Sequence, residues 1–260
     1  MRTTFLALTA TIALSSTALV ATAASAAEQA VYSAAVAASD RPTEASELDE
    51  SRKPAEVLAF LGLESGMTAA DLLTGTGYWA EIMAHVVGSQ GAVIAYQPSQ
   101  FYTDDDSKAA WSKLEARVPE VSESRYPFDE FAPPAESLDF AIINLSYHDI
   151  YWTSERFKIP TTDPVAYVDA LYKGMKPGGI VGVIDHVGEG SDTRELVDNL
   201  HRIDPTVVKA DFERAGFVLV GESDILANPE DDHTKLVFDP SIRGKTDRFL
   251  MKFVKADAGD

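Results

Sequence analysis

The sequence predicts an α/β fold: a Rossmann-like, doubly wound, mostly parallel sheet that closes with a C-terminal antiparallel hairpin. Three observations predict it. Short apolar runs alternate with segments of helical periodicity along most of the chain. A glycine-rich turn, "TGTG" at 74–77, joins the first apolar run to the first helix of that alternation. The last two apolar runs, "FVLVGESDIL" and "DRFLMKFVKA", have no helix between them, so they pair antiparallel.

The elements follow in order. A helix starts near Lys53, with Pro54 in its first turn, Val57, Leu58, Phe60 and Leu61 on its apolar side, and Gly62 at its end. "TAADLLT" is the first strand. Trp79, Ile82, Met83, Val86 and Val87 recur at helical spacing until Gly88. "AVIAYQP" is the second strand, and a helix with Trp111 and Leu114 follows the acidic run Asp104 to Asp106. A third strand lies near "SESRYPF". "LDFAIINLS" is nearly all apolar, as a central parallel strand buried on both faces should be. Val165, Val168, Leu171, Tyr172 and Met175 mark a helix that stops at "KPGG", and "GIVGVID" is the fifth strand. "DPTVVKADFERAG" is a capped helix leading into the hairpin. The polar connection from Ala227 to Arg248 is long for a compact domain, and loops of that length are often functional.

Composition narrows the function. The chain has 260 residues and a formal net charge of −19, a surface that repels phosphate backbones and anionic lipid, so no nucleic-acid partner is expected. There is no cysteine, which removes thiol nucleophiles, disulfides and Cys-ligated zinc. Met1-Arg2, the uncharged run that follows and Ala24-Ser25-Ala26 read as a signal peptide over 1–26, cut before Ala27. An uncleaved anchor is the alternative, but a run rich in Ala, Thr and Ser anchors poorly. The expected product is exported, periplasmic or secreted, without stable membrane insertion after cleavage. Residues 27–52 read as a loosely packed lead-in, and 53–260 as one domain.

In open α/β sheets, ligands bind beyond the carboxyl ends of the strands. Asp71, Thr74, Gly75 and Gly77 lie at the end of the first strand, Gln97 at the end of the second and Asp129 after the third. Gly75 and Gly77 let backbone approach a ligand closely and permit positive φ. His148-Asp149 follows the fourth strand and Asp185-His186 ends the fifth, so the two pairs should meet over one cleft. A neutral imidazole there can take a proton or bind a metal, oriented by its aspartate. A network that only braces the loops is the alternative. His201, Arg202 and Asp204 either join that wall or cap the next helix. Tyr147, Tyr151 and Trp152 are candidates for an aromatic wall or for core. "DDH" at 231–233 has a metal-like composition in a polar loop, and Thr246, Asp247 and Arg248 are placed to tie that loop down.

From about Lys53 to the C-terminus the chain resembles the class I S-adenosylmethionine (SAM)-dependent methyltransferases. The resemblance rests on the acid-plus-glycine loop after the first strand, on "MKPGG" at 175–179 before the fifth, and on the closing hairpin. More narrowly, "YHDIYW", "IDH", "HRIDP", "AGF" and "RGKTDRF" resemble a bacterial group of predicted exported methyltransferases. The resemblance implies a methyltransferase-like domain over 53–260, SAM as cofactor and a small-molecule substrate. It puts Gly75 and Gly77 against SAM, Gln97 at the ribose and Asp129 near the adenine, with His148 or His186 as base. Two positions depart from the family pattern. Leu73 stands where the loop's first glycine belongs, and Gln97 stands where an acid usually grips the ribose hydroxyls. Two rival readings remain: an exported binding protein that keeps the fold without catalysis, and a metal-assisted enzyme using the His-Asp pairs, whose ligands would suit zinc, manganese or iron.

Overall fold

The computed structural model describes residues 29–103 and 105–256. The expected signal peptide and Asp104 lie outside them. Seven strands form one sheet in the order β3-β2-β1-β4-β5-β7-β6. They are β1 (Thr68–Leu72), β2 (Ala92–Pro98), β3 (Val121–Tyr126), β4 (Leu138–Asn144), β5 (Met175–His186), β6 (Phe217–Ser223) and β7 (Arg248–Lys255). β1 to β5 run parallel, and β7 is antiparallel to both β5 and β6. The chain builds outward from β1 to β3, then returns to the other side of β1 to place β4. That reversal opens a crevice beyond the carboxyl ends of β1 and β4.

Successive residues of a strand point to opposite faces. Ala69 and Ile142 therefore join one core, with Leu58, Trp79, Ile82 and Met83 from the helices α1 (Pro54–Leu61) and α2 (Tyr78–Val87). Trp111 and Leu114 of α3 (Asp105–Arg117) close that layer. Ala70 and Ile143 join the other core, with Leu171 of α4 (Pro164–Gly174) and Val208 and Phe212 of α6 (Pro205–Ala215). The helix ends follow the sequence. Pro54 sits in the first turn of α1, Gly62 (φ 81°) ends it, Asp204 accepts from Thr206 N to cap α6, and Gly216 (φ 104°) ends that helix.

The structure departs from the sequence expectation in three places. First, the lead-in is packed. Residues 29–36 are helical, Tyr32 is buried with its hydroxyl donating to Leu63 O, and Arg41 forks onto both Asp49 oxygens at 2.8 Å. Alanines fill the spacing around Tyr32 and hide its apolar side. Second, "KPGG" is not a turn outside the sheet. β5 already starts at Met175, and a register shift between Leu138 and Phe140 absorbs the extra residues, braced by Lys176 on Asp139 at 2.8 Å. Third, α5 (Thr193–Leu200) was not expected. Only Leu196 and Val197 of it are buried, too few to show a period, although Asp192 capping Arg194 N and Glu195 N was a readable start signal. Among the described residues no helix is long and apolar enough to cross a membrane.

Candidate active site at the carboxyl ends of the strands

The glycine turn is built from behind by Asp71. This buried carboxylate accepts from Thr74 Oγ1 at 2.5 Å and from Ala80 N at 3.0 Å, which ties the turn to the first residues of α2. Burial pushes its pKa up to about 7, against the lowering effect of those hydrogen bonds and of Arg52. The two glycines differ. Gly75 (φ +61°) would point a Cβ into open space, with no atom within 4 Å. A Cβ on Gly77 (φ +79°) would stand 2.4 Å from Leu114 Cδ2 and 3.1 Å from Trp111, so this glycine exists to let α3 pack against the turn.

Gln97, at the end of β2, is committed to the turn as well. Its Oε1 accepts from Gly75 N at 3.2 Å and its Nε2 donates to Gly75 O at 3.3 Å, while Trp111 Nε1 donates to the same carbonyl at 3.1 Å. Leu73, Gly75, Thr76, Gln97, Phe101 and Trp111 then line a cleft of about 260 Å³. Of the residues expected to touch a cofactor, Gly75 and Gln97 are on this wall. Asp71, Thr74 and Gly77 shape the turn behind it. Asp129 is exposed on the turn after β3, which Glu130 N closes by donating to Pro127 O, and is absent from the wall.

A second cavity of about 470 Å³ lies over β4 and β5. Its walls are Phe101, Trp152, Phe157, Val237 and Phe238, with Asp149 and three imidazoles, His148, His186 and His201, set among them. Asp149 and Phe101 line both hollows. Tyr147 and Tyr151 are not wall residues. Both donate to Asp211 Oδ2 on α6, and Tyr147 is fully buried core.

Asp185 organises the imidazoles. It is completely buried at the end of β5, and its Oδ1 meets His148 Nδ1 at 2.8 Å while its oxygens also accept from His148 N and His186 N. Burial would raise its pKa, but the neighbouring imidazoles and hydrogen bonds win and hold it below the usual carboxylate range. For His148 burial works against the charged form, yet the Asp185 and Asp149 carboxylates outweigh it and raise its pKa to about 9. Asp149 is pushed up to about 6 by burial and by Asp185, against the pull of His148. Burial lowers His186 to about 3, and its Nδ1 pairs with Thr246 Oγ1 at 2.7 Å. Burial and the charge on His148 lower His201 to about 4. The His148 ring stands 6.0 Å from that of His186 and 5.4 Å from that of His201.

The long β6–β7 connection completes the cavity through Val237 and Phe238. Arg202, fully buried, holds that connection by donating to Asp231 at 2.9 and 3.0 Å and to the carbonyls of Lys235 and Val187. Asp231 of "DDH" is thus an ion-pair anchor, and His233 reaches Asp247 Oδ2 at 3.0 Å. Three residues on the two hollows hold positive φ without being glycine: Leu73 (49°), Leu145 (55°) and His201 (49°). Backbone held in this costly region clusters at functional sites.

Residues 23–133 match the model of the protein-L-isoaspartate(D-aspartate) O-methyltransferase family. No curated protein matches the sequence. Among solved structures, a SAM-dependent methyltransferase from Aquifex aeolicus is 19% identical, with 83% of this chain and 99% of that one covered at a TM-score of 0.56. A second, from Mesorhizobium loti, is 14% identical, covering 80% of this chain and 99% of that one at 0.54. The [4+2]-cyclase SpnF is 15% identical, covering 80% and 81% at 0.57. The fold is therefore that of the SAM-dependent methyltransferases, mostly parallel with a closing antiparallel hairpin. The cyclase among its neighbours is a reminder that the reaction must be argued from the site.

Proposed function

We propose that this chain transfers a methyl group from S-adenosylmethionine to a small-molecule acceptor bound in the histidine cavity. The observation that carries the reading is the shared wall: Phe101 and Asp149 line both the glycine-turn cleft and the aromatic cavity. Two compartments meeting at one wall suit a reaction in which positioning two partners supplies most of the rate. The family match over the glycine turn and the methyltransferase neighbours support SAM as cofactor.

The residues fit it. Gly75 leaves open the space that a Cβ would fill, and Leu73, Gln97 and Trp111 give the cleft the mixed apolar and amide surface that a nucleoside needs. When bound there, SAM supplies an electrophilic methyl group on a sulfonium. The aromatic walls of the other cavity hold a flat or apolar acceptor and exclude water. His148 already holds its proton between two carboxylates, so it serves as a hydrogen-bond donor to an acceptor oxygen and not as the base. The carboxylate on the shared wall, Asp149, is the group positioned to receive the acceptor's proton. Export, periplasmic or secreted, remains part of the proposal on the strength of residues 1–26 alone.

Calorimetric titration with S-adenosylhomocysteine tests the cofactor side. Gly75→Val should abolish binding, because the new side chain enters the cleft, and should also cost some stability through a β-branched residue held at φ +61°, so thermal unfolding checks that the variant is folded. Gly77→Ala should instead cost about 1–3 kcal/mol of stability through overpacking against Leu114. Binding that survives Gly75→Val would put the ligand elsewhere, and no binding in the wild type would favour the non-catalytic reading.

A further inference from the structure

We propose that His148, Asp149 and His201 bind one divalent transition-metal ion at the wall of the aromatic cavity. Asp149 Oδ1 lies 3.5 Å from His148 Nε2 and 3.8 Å from His201 Nδ1, and the three ligand atoms all fall within 4.8 Å of one another. Ligand atoms around a zinc-type ion with bonds of about 2.1 Å stand roughly 3–4 Å apart, so a small inward movement of one ring closes the set. Two imidazoles and one carboxylate leave coordination positions open, and here they open onto the cavity.

Two further observations favour a ligand role over a bracing one. His148 is held from behind in the manner of a metal-bound histidine. Its Nδ1 is fixed by the buried Asp185 Oδ1 at 2.8 Å, which turns Nε2 toward Asp149. His201 is delivered by an unfavourable backbone. It stands at the C-cap of α5 with φ 49° and ψ 48°, where glycine or asparagine is the ordinary choice. Histidine is tolerated there at a cost that glycine would avoid. The ring it projects is aligned edge-on to Trp152 at 4.9 Å and to His148 at 5.4 Å.

The ion deepens the methyl-transfer reading, on which its role, though not its binding, depends. Open positions facing aromatic walls select an acceptor with an ionisable oxygen on a flat body. With His148 Nε2 and Asp149 on the cation, the cation would take over both of their roles, holding the acceptor oxygen in place of the His148 N–H and favouring loss of its proton to solvent, work that falls to Asp149 in the metal-free site.

The test uses the tag-free chain, stripped with chelator and titrated with Co²⁺ while visible absorption is recorded, with Zn²⁺ as competitor. Saturation at one equivalent and displacement by Zn²⁺ are expected. His201→Gly and Asp149→Asn should each weaken binding at least about 100-fold, and Asp185→Asn about 10- to 100-fold, the range seen when the group behind a ligand is lost. Circular dichroism and thermal unfolding check that each variant folds, and His201→Asn, which tolerates the same backbone, stands in if the glycine variant does not. No saturation at one equivalent in the wild type, or unchanged affinity in a folded His201 variant, overturns the site. S-adenosylhomocysteine is titrated separately. Co²⁺ binding without it supports the metal site and removes the methyl-transfer reading, and the reverse result keeps that reading and removes the metal.

Discussion

The glycine-turn cleft and the histidine cavity share Phe101 and Asp149, yet they are built from different materials. Apart from that shared carboxylate, backbone, an amide, three hydroxyls and apolar side chains make the cleft. Its one buried charge, Asp71, stands behind the turn. The cavity is set by charges taken out of water: Asp149 and His148 in its wall, Asp185 behind His148, and the Arg202–Asp231 pair anchoring the β6–β7 connection. The first region should therefore fail chiefly by steric change, with Asp71 behind the turn its one group that titrates near neutrality. The second should fail when one partner of a buried pair is removed, and should titrate.

Arg202→Met offers the largest expected effect. It strands the buried Asp231 carboxylate and frees the carbonyls of Lys235 and Val187. Removing one member of a buried pair costs about 3–5 kcal/mol. Urea unfolding would read this directly, and a loss under about 1 kcal/mol would mean that the long connection is held by something else. Burial raises the Asp231 pKa, but Arg202 and the backbone donors outweigh it and hold it below the ordinary range. The pair's contribution is therefore present at neutral pH and lost as pH falls through the carboxylate range.

The second test is pH. In chelated protein, the His148 pKa of about 9 exceeds the usual value near 6.5. The stability it contributes is thus complete below about pH 6.5 and disappears as pH rises through about 9. That contribution is about 3–4 kcal/mol, since a tenfold gain in proton affinity on folding corresponds to about 1.4 kcal/mol. Asp185→Asn removes its nearest carboxylate, so the alkaline decline should flatten and the ring's NMR titration should move down toward neutrality. A stability curve between pH 6.5 and 9 that is identical in both proteins would show that Asp185 does not hold the proton on His148.

These two regions were not equally legible in the sequence. The cleft was visible because its makers are contiguous: strand, "TGTG" turn and helix stand in one short stretch, and Gln97 ends the neighbouring strand. What the stretch could not reveal was which glycine faces the open cleft, because that depends on Trp111 and Leu114 of α3, a helix distant in sequence. The cavity was visible in outline, since His148 and Asp185 each end a central strand and had to converge. Its charge states were not visible. Ruling His148 out as the base required knowing that its ring sits between two carboxylates, and only the fold brings Asp185 there. Val237 and Phe238 were hidden for another reason. They come from a polar loop whose path is fixed by a fully buried arginine, and nothing in local patterning marks Arg202 as buried.

The smallest expected effect lies on the cleft side and depends on Gln97. By the family pattern alone, Gln97→Glu restores an anionic acceptor for ribose hydroxyls and should gain about 1 kcal/mol, the difference between a charged and a neutral hydrogen bond. The structure opposes that gain. The amide is used in both directions on Gly75, accepting from its N–H at 3.2 Å and donating to its carbonyl at 3.3 Å. A carboxylate can keep the first bond but must set an oxygen against Gly75 O or swing away from the turn. Losing that donor costs about 1 kcal/mol. Reaching the ribose would also give up the Gly75 N–H bond, worth about 1 kcal/mol, so affinity for S-adenosylhomocysteine should change by less than about threefold, while the lost donor separately costs the free protein about 1 kcal/mol of stability. Calorimetry with denaturant unfolding on the same variant separates the two. A tenfold gain in affinity at unchanged stability would mean that Gln97 is not needed to hold the glycine turn, and the cleft would then be less rigid than its neutral construction implies.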